Sequence, residues 1–433
     1  MSIIRPKDRD LIVQALRAGV VPRSGQQFIQ VGRAREVEVM IQDIERIGQG
    51  GAVFRIVIGE YGAGKTFFLN LVRAIALQQK LVTAHADLNP DRRLQASGGQ
   101  ARSLFAELMK NLSTRAKPDG GALGGVVEKF VTQARSDAKT QNLTLEALIQ
   151  TRLVPLTDMV GGYDFVEVIS QYARGFDDGN DTLQADSVRW LRGEFTTKTE
   201  ARAALGVRTI IDDDQMYDHL KLFSRFTRIA GFGGLLVCLD ELVNLYKLSN
   251  RQARDSNYEQ ILRILNDVLQ GNTEGMGILL GGTSEFLLDP RRGLFSYPAL
   301  QSRLAENSFA AQSGLTDYSG PVLRLTSLTQ EDFYVLLQKL RHVFAYGDSA
   351  KYLLPDDGIT AYMGHAAKRL GDTYFRTPRT TITSFLNLLA VLEQHPGTDW
   401  RTLVDATQVE ADTGAAHERS SEDDELASFR LGA

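Results

Sequence analysis

The sequence contains very little cysteine: Cys238 is the only one among 433 residues. A lone cysteine excludes any disulfide within the chain, which is typical of proteins of a reducing cytosol. Cys238 lies within the apolar run 235–239, so we expect a small buried side chain there and not a reactive thiol. The cysteine content therefore favours a protein of a reducing compartment.

The chain also lacks a strong charge of one sign and any long apolar run. Its formal net charge is −4 and 43% of its residues are hydrophobic, values that are ordinary for a soluble protein and indicate no polyanionic partner. A small net charge of the whole chain does not exclude a local basic patch that binds nucleic acid. No window approaches the roughly 18 consecutive apolar residues of a membrane span, and the start of the chain has no apolar signal core. We expect a cytoplasmic protein with no membrane partner.

Metal-binding patterns are missing as well. The six histidines form no ligand spacing with one another or with Cys238, so no zinc site is predicted. The consecutive acids Asp212, Asp213 and Asp214 could indicate a metal-dependent nuclease, but an amphipathic segment follows them at 215–228. Because acidic residues favour the first turn of a helix, we interpret this triplet as a helix start.

Apolar patterns predict an alternation of strands and helices near the start of the chain. A β-branched run at 52–58 predicts a buried strand, followed by a glycine-rich loop, a helix at 65–79 and a second strand at 81–87. Such an alternation is typical of a parallel sheet covered by helices, so the predicted fold class is α/β. Further strands are predicted at 234–239, 276–280 and 322–325.

The glycine-rich loop, which we call the phosphate loop, spans residues 59–66 and matches the pattern G-x-x-x-x-G-K-[ST] at every fixed position. Its glycines let backbone N–H groups turn toward phosphate oxygens, and the helix that starts there adds the positive end of its dipole. Lys65 would reach the β- and γ-phosphates of ATP, and the Thr66 hydroxyl would ligate Mg²⁺. The predicted nucleotide-binding residues of this region are Gly59, Glu60, Tyr61, Gly62, Ala63, Gly64, Lys65, Thr66 and Phe67.

A second motif supplies carboxylates. The apolar run 235–239 is followed directly by Asp240 and Glu241. On a buried parallel strand, both acids would lie at the carboxyl end of the sheet, where ligands bind in such folds. Asp240 would orient Mg²⁺ and its waters, and Glu241 would act as general base toward the attacking water. The alternative is a strand that simply ends in exposed acids.

Hydroxyl groups follow another apolar run. Residues 278–282 lead into Thr283 and Ser284. In ATPases of this layout, a polar residue at such a strand end hydrogen-bonds the γ-phosphate or the attacking water. We assign this role to Thr283, with Ser284 as one alternative and a plain turn after the strand as the other.

The order of these motifs resembles that of the AAA+ and STAND groups of P-loop ATPases. The resemblance implies that Gly32 and Arg33 border the adenine pocket and that Thr283 is the sensor 1 residue. It also implies that Arg303 is an arginine finger directed at a neighbouring subunit, and that Arg379 is the sensor 2 residue of a helical lid. The expected fold is therefore an AAA+-like P-loop NTPase whose ligands are ATP and Mg²⁺.

The arginine assignments leave alternatives open. Arg291 or Arg292 could be the finger in place of Arg303, or the chain could have none. Arg379 could face solvent at the start of its helix, and Arg33 could be structural.

A narrower resemblance lies in the stretches 188–194, 200–202 and 205–207, which continue into 231–241. These stretches are similar to the shorter ATP-binding proteins of BREX-type bacteriophage-defence systems. The resemblance implies a bacterial or archaeal cytosolic ATPase in antiviral defence, a homo-oligomer that acts on DNA or beside helicase, methyltransferase or nuclease components. A STAND-like nucleotide-dependent switch, a transposition-type ATP-dependent DNA-binding regulator and a scaffold without turnover are the alternatives.

The AAA+-like layout covers residues 28–395 and predicts four regions along the chain. They are an N-terminal helical segment at 1–30, a P-loop ATPase core at 31–325 with a helical insertion at 113–230, a helical lid at 326–400, and an acidic, partly disordered tail at 401–433.

Overall fold

The computed structural model describes residues 4–370 and 378–406. Its strands are β1 (Ala52–Ile58), β2 (Val82–Asp87), β3 (Leu235–Asp240), β4 (Met276–Gly282) and β5 (Val322–Arg324). They form one five-stranded sheet in the order β2-β3-β4-β1-β5, in which β2, β3, β4 and β1 are parallel neighbours. The predicted α/β class and parallel sheet are therefore confirmed.

The carboxyl ends of four strands lie at one edge of this sheet. In the strand register, Ile58 pairs with Gly282, and Asp87 pairs with Asp240. Every residue of β3 and β4 is buried, as expected for parallel strands that are covered on both faces. Gly59, the first residue of the phosphate loop, follows Ile58 directly in the chain. The segments that follow β1, β3 and β4 therefore all leave the sheet at this edge.

Helices make up most of the other described residues. They are α1 (Pro6–Arg17), α2 (Gln26–Ile29), α3 (Ala34–Gly48), α4 (Lys65–Gln78), α5 (Gln100–Lys110), α6 (Leu123–Gln141), α7 (Leu145–Thr157), α8 (Gly162–Asp178), α9 (Asp181–Leu191), α10 (Lys198–Leu205), α11 (Met216–Ile229), α12 (Val243–Tyr246), α13 (Arg251–Leu269), α14 (Ser284–Leu288), α15 (Pro298–Leu304), α16 (Ser308–Gln312), α17 (Gln330–Phe344), α18 (Asp356–Leu370), α19 (Pro378–Gln394) and α20 (Trp400–Ala406). None of the helices in the described ranges has the length and apolar character that crossing a bilayer requires.

The described residues of 35–58 and 72–323 form one compact unit, the sheet unit. Its hydrophobic core is continuous from the strands to the helices α6 to α11. Four buried aromatic residues contact one another in this core, namely Phe130, Phe165, Phe223 and Phe226. The ring centroids of the contacting pairs lie 5.3 to 6.4 Å apart. Contacts of this kind add to the stabilisation that burial of the rings provides.

A second compact unit, the loop–lid unit, comprises the described parts of residues 1–34, 59–71 and 324–433. It contains the phosphate loop, and its core joins α1 to α17, α18 and α19. Three polar contacts of the described residues join α1 to α19: Arg9 pairs with Glu393 at 3.1 Å, Arg17 Nε donates to Asn387 Oδ1 at 2.8 Å, and Thr383 Oγ1 donates to the Leu16 carbonyl at 3.0 Å. The N-terminal helix therefore shares a core with the C-terminal helices.

Near the end of the chain, residues 400–406 form α20, in which Val404 is buried. The tail boundary predicted at residue 401 therefore falls inside a helix. Residues 407–433 of the predicted tail lie outside the described residues.

Candidate nucleotide-binding site

The phosphate loop has the backbone that its glycines predict. Gly62 and Gly64 have φ values of +77° and +80°, in the left-handed region that favours glycine. A β-carbon at Gly64 would lie 4.0 Å from Phe67 Cβ, so the backbone conformation and not crowding requires glycine there. A β-carbon at Gly59 would lie 3.2 Å from Ala63 Cβ, which makes the start of the loop tightly packed. The loop therefore folds back on itself before α4 begins.

The Lys65 ammonium is held against the loop. Lys65 Nζ donates to the carbonyl oxygens of Gly59 at 2.9 Å and Glu60 at 3.0 Å. Thr66 follows in the first turn of α4 and is exposed, as are Glu60 and Tyr61. A cationic ammonium and the N–H groups at a helix start together form a site that favours anions.

Arg33 contacts the phosphate loop within the same unit. Its Nη2 donates to the carbonyl oxygen of Ala63, and also to that of Thr326 at 3.2 Å. Gly32 precedes it with φ +59°, and a β-carbon at Gly32 would come within 3.2 Å of the Asp332 carboxylate. The structure therefore gives Arg33 a structural contact with the loop, the role that sequence analysis held as an alternative.

The two acids at the end of β3, Asp240 within the strand and Glu241 directly after it, have different environments. Asp240 is buried, with 7% of its surface exposed, and its Oδ1 accepts the backbone N–H of Glu241 at 2.9 Å. Glu241 is exposed and has φ +60°, a left-handed conformation that is uncommon for a residue other than glycine. Backbone strain of this kind is concentrated at functional sites. The Asp240 carboxylate is therefore buried at the sheet edge, whereas the next residue, Glu241, is exposed.

Asp87 is a residue of this edge that the sequence analysis missed. It ends β2 beside Asp240, and desolvation together with the Asp240 carboxylate raises the pKa of Asp87. Burial lowers the pKa of Arg73 on α4, and the Asp87 carboxylate opposes that shift. Burial also raises the pKa of the Cys238 thiol to about 12, which confirms the inert, buried cysteine that was predicted. An acid at the last position of a predicted strand was the signal that could have identified Asp87.

Thr283 follows β4 directly, at the same edge of the sheet unit. Its side-chain oxygen accepts the backbone N–H of Phe286 at 3.3 Å and so caps the short helix α14. Ser284 is the first residue of that helix. The hydroxyl of Thr283 therefore has the structural role of a helix cap, in addition to any contact it makes with a ligand.

The candidate finger arginines differ in their own contacts. Arg303 is exposed at the end of α15, where its Nη1 donates to the Ala299 carbonyl at 2.9 Å. Arg291 is exposed as well. Arg292 instead lies over the Tyr246 ring, 5.3 Å from its centroid. Of the three candidates, Arg292 therefore packs within its own unit, whereas Arg303 and Arg291 are exposed.

Arg379 lies in the first turn of α19 and is exposed. Its side chain passes the end of α1, where Arg379 Cδ would lie 3.5 Å from a β-carbon on Gly19. Thr377, which precedes this helix, is outside the described residues.

The acidic triplet caps helices. Asp213 accepts the backbone N–H groups of Gly99 at 2.6 Å and Arg102 at 2.8 Å, which caps the start of α5. Asp212 accepts the N–H of Gln215 at 3.2 Å ahead of α11. The triplet therefore precedes α11, whose first turn contains Asp218 instead, and Asp213 caps a helix other than the one predicted.

The stretch that carries the narrower resemblance is connected by several internal contacts. Trp190 is buried, and its Nε1 donates to the Thr209 carbonyl at 2.9 Å. Arg189 pairs with Glu200 at 2.7 Å, and its guanidinium lies 4.2 Å from the ring centroid of Phe195. These contacts connect α9 to α10 and to the loop that follows α10.

A parallel sheet with a phosphate loop after β1 and paired acids after β3 is the arrangement of a P-loop-like nucleotide-binding protein. The family model of the BREX system ATP-binding protein BrxC/D matches residues 4–408, and the chain belongs to this family. The resemblance to BREX ATP-binding proteins is thereby confirmed. A comparison with curated proteins gives no match.

Proposed function

We propose that this protein binds ATP with Mg²⁺ at the phosphate loop and hydrolyses it, as a slow or partner-stimulated ATPase of a BREX phage-defence system. The observation that carries the proposal is the geometry of the loop. Gly62 and Gly64 adopt left-handed backbones, and the Lys65 ammonium lies against the loop where α4 begins. Such a loop suits the oxygens of a triphosphate, and family membership supports ATP as the ligand.

We assign Thr66 and Asp240 to the coordination of Mg²⁺. Within the described residues, no group of three or more histidine, cysteine or carboxylate side chains could hold a metal by itself. Mg²⁺ typically takes one or two protein ligands together with phosphate oxygens and water. A hydroxyl and one buried carboxylate therefore fit this metal, which supplies charge neutralisation to the phosphates when bound.

The other assigned roles follow the sequence predictions. Glu241 is the general base, a role that its exposed, strained position at the end of β3 supports. We assign Thr283 to the γ-phosphate, Arg379 to the lid side of the nucleotide and Gly32 to its adenine side, whereas Arg33 takes the structural role that its contact with the Ala63 carbonyl supports.

Nucleotide and metal removal provide the test of ATP binding. Because a ligand that binds only the folded state stabilises it by RT ln(1 + [L]/Kd), ATP with Mg²⁺ at 100 times Kd should add about 2.7 kcal/mol to the free energy of unfolding. We expect a measurable rise in Tm, which EDTA should largely reverse, since the metal then no longer neutralises the phosphates.

The control is EDTA without nucleotide, which should leave Tm unchanged because the described residues offer no self-sufficient metal cluster. A Tm that does not respond to ATP and Mg²⁺ at millimolar concentrations would contradict the proposed function.

The substitution Arg303→Ala tests whether subunits assemble so that Arg303 of one subunit reaches the nucleotide of its neighbour. We expect the ATPase rate per subunit to rise with protein concentration. The rate of the variant should fall by about 10- to 150-fold, because one hydrogen bond from a charged donor contributes about 1.5 to 3 kcal/mol. Arg291→Ala is the matched variant, since Arg291 is also exposed. A rate that is flat with concentration, with wild-type activity in both variants, would rule out the trans finger.

The partners that we propose are other proteins of the BREX system. Arg92, Arg93 and Lys110 form a small basic cluster that could bind DNA, but it is partly neutralised, because Arg92 pairs with Glu107 at 3.2 Å and Lys110 lies 3.9 Å from the same carboxylate. Arg93 Nε donates to the Pro90 carbonyl at 2.9 Å. DNA is therefore the second candidate partner. If the protein acts on DNA, it should bind DNA in the presence of ATP, and this binding should weaken as the salt concentration rises.

A further inference from the structure

Arg33 stands in an unusual backbone segment between α2 and α3. Gly32 and Arg33 have consecutive left-handed φ values of +59° and +57°. At Gly32 a β-carbon would also meet the Asp332 carboxylate at 3.1 Å. A left-handed conformation is unfavourable for arginine, and such residues persist only where surrounding contacts hold them. The contacts of the Arg33 side chain are therefore expected to hold this backbone conformation in place.

The Arg33 guanidinium bridges two segments of the loop–lid unit. Its Nη2 donates both to the Ala63 carbonyl of the phosphate loop and to the Thr326 carbonyl at 3.2 Å. Thr326 lies three residues ahead of Thr329, the N-cap of α17. Hydrogen bonds from a charged donor are stronger than those between neutral groups. One side chain thus joins the phosphate loop to the entrance of α17.

The contact with Ala63 bears on the chemistry of the loop. The Ala63 carbonyl and the Gly64 N–H belong to one planar peptide group and point in opposite directions. A cation that holds the carbonyl oxygen therefore fixes the direction of the Gly64 N–H and polarises it as a donor. That N–H belongs to the loop that we propose binds the phosphates.

The segment before Arg33 is also fixed to α17. Lys339 Nζ donates to the Gln30 carbonyl. Asp332 packs against Gly32 and accepts the N–H of Thr329 at 3.1 Å as part of a capping box. Residues 332 and 339 are two helical turns apart and so lie on one face of α17. Movement of α17 would therefore displace the segment that carries Arg33.

We propose that Arg33 is a positioning residue that orients the Ala63–Gly64 peptide for phosphate binding and couples occupancy of the phosphate loop to the start of α17. This proposal rests on the proposed ATP binding. Coupling of this kind is reciprocal, so a nucleotide that favours the bridged state must also order the segment from Thr326 to Asp332.

The test uses the full chain with Arg33→Met, Arg33→Lys and the control Arg35→Met. Arg35 is the neighbouring surface arginine, paired only with Glu38 among the contacts described, at 3.1 Å. KM and kcat for ATP, Tm without nucleotide, and hydrogen exchange of residues 326–332 with and without ATP are measured for each.

For Arg33→Met we expect KM to rise about tenfold with kcat within twofold of wild type, since the lost contact acts on binding. ATP-dependent protection of residues 326–332 should disappear. For Arg33→Lys, KM and the protection of residues 326–332 should lie between those of Arg33→Met and wild type, because an ammonium lacks the planar fork that reaches two acceptors. Arg35→Met should match wild type.

Wild-type KM and wild-type protection in Arg33→Met would overturn the proposal. So would a fall in kcat that parallels a fall in Tm at unchanged KM in both Arg33 variants, which is the result of a purely structural role. If the wild-type protein binds no ATP, the proposed function itself fails, and that result is distinct from either outcome.

Discussion

Glu241→Gln is expected to lower kcat for ATP hydrolysis by about 10² to 10⁴-fold, the usual contribution of a general base. Glutamine keeps the shape of the side chain but cannot accept the proton of the attacking water. Glu241 is exposed, and its backbone N–H is already bound by Asp240, so the substitution should leave the sheet edge intact. Affinity for ATP with Mg²⁺ should therefore stay close to that of wild type.

Single-turnover phosphate release measures the chemical step, and calorimetry with ATP and Mg²⁺ measures binding. Glu259→Gln is the matched control, since Glu259 is an exposed glutamate on α13 outside the proposed site. A wild-type rate in Glu241→Gln would show that this carboxylate is not the base.

The same variant separates two modes of action. If hydrolysis itself drives defence, Glu241→Gln should lose protection against phage while it still binds ATP. If the protein is instead a STAND-like switch whose active state is the ATP-bound one, the variant should remain active or become constitutively active. Protection assays on cells that carry the whole system distinguish the two.

Much of the fold was predictable because its determinants are local. The run at 52–58 is rich in β-branched residues and lies between glycines, and the structure has β1 at Ala52–Ile58. The phosphate loop was predictable for a similar reason, since the left-handed backbones at Gly62 and Gly64 require glycine. Where a short stretch of chain decides its own conformation, the sequence alone identifies it.

The features that were missed depend on contacts between distant parts of the chain. Asp87 became a neighbour of Asp240 only when β2 paired with β3, a choice of sheet order that neither strand reveals. The hydrogen bonds of Arg33 reach Ala63, which is 30 positions away in the chain, and Thr326, which is 293 positions away. The packing of α1 against α19 is of the same kind, because both are amphipathic helices whose partners the pattern leaves open.

Lys65→Met is expected to weaken binding of ATP by about 10²-fold or more. Hydrogen bonds from a charged donor contribute about 1.5 to 3 kcal/mol each, and the ammonium would reach two phosphates, so about 3 kcal/mol is the lower estimate. Lys65 Nζ also donates to the Gly59 and Glu60 carbonyls, so the substitution removes two contacts within the loop as well.

Comparison of nucleotides separates the two effects of this substitution. Affinity for adenosine should be unchanged if Lys65 acts on the phosphates, whereas an equal loss for adenosine and ATP would indicate collapse of the loop. Lys139→Met is the control, since Lys139 is an exposed lysine on α6 in the sheet unit. An unchanged ATP affinity in Lys65→Met would contradict the assignment of residues 59–66 as the phosphate-binding element, because no other side chain of this loop carries a positive charge.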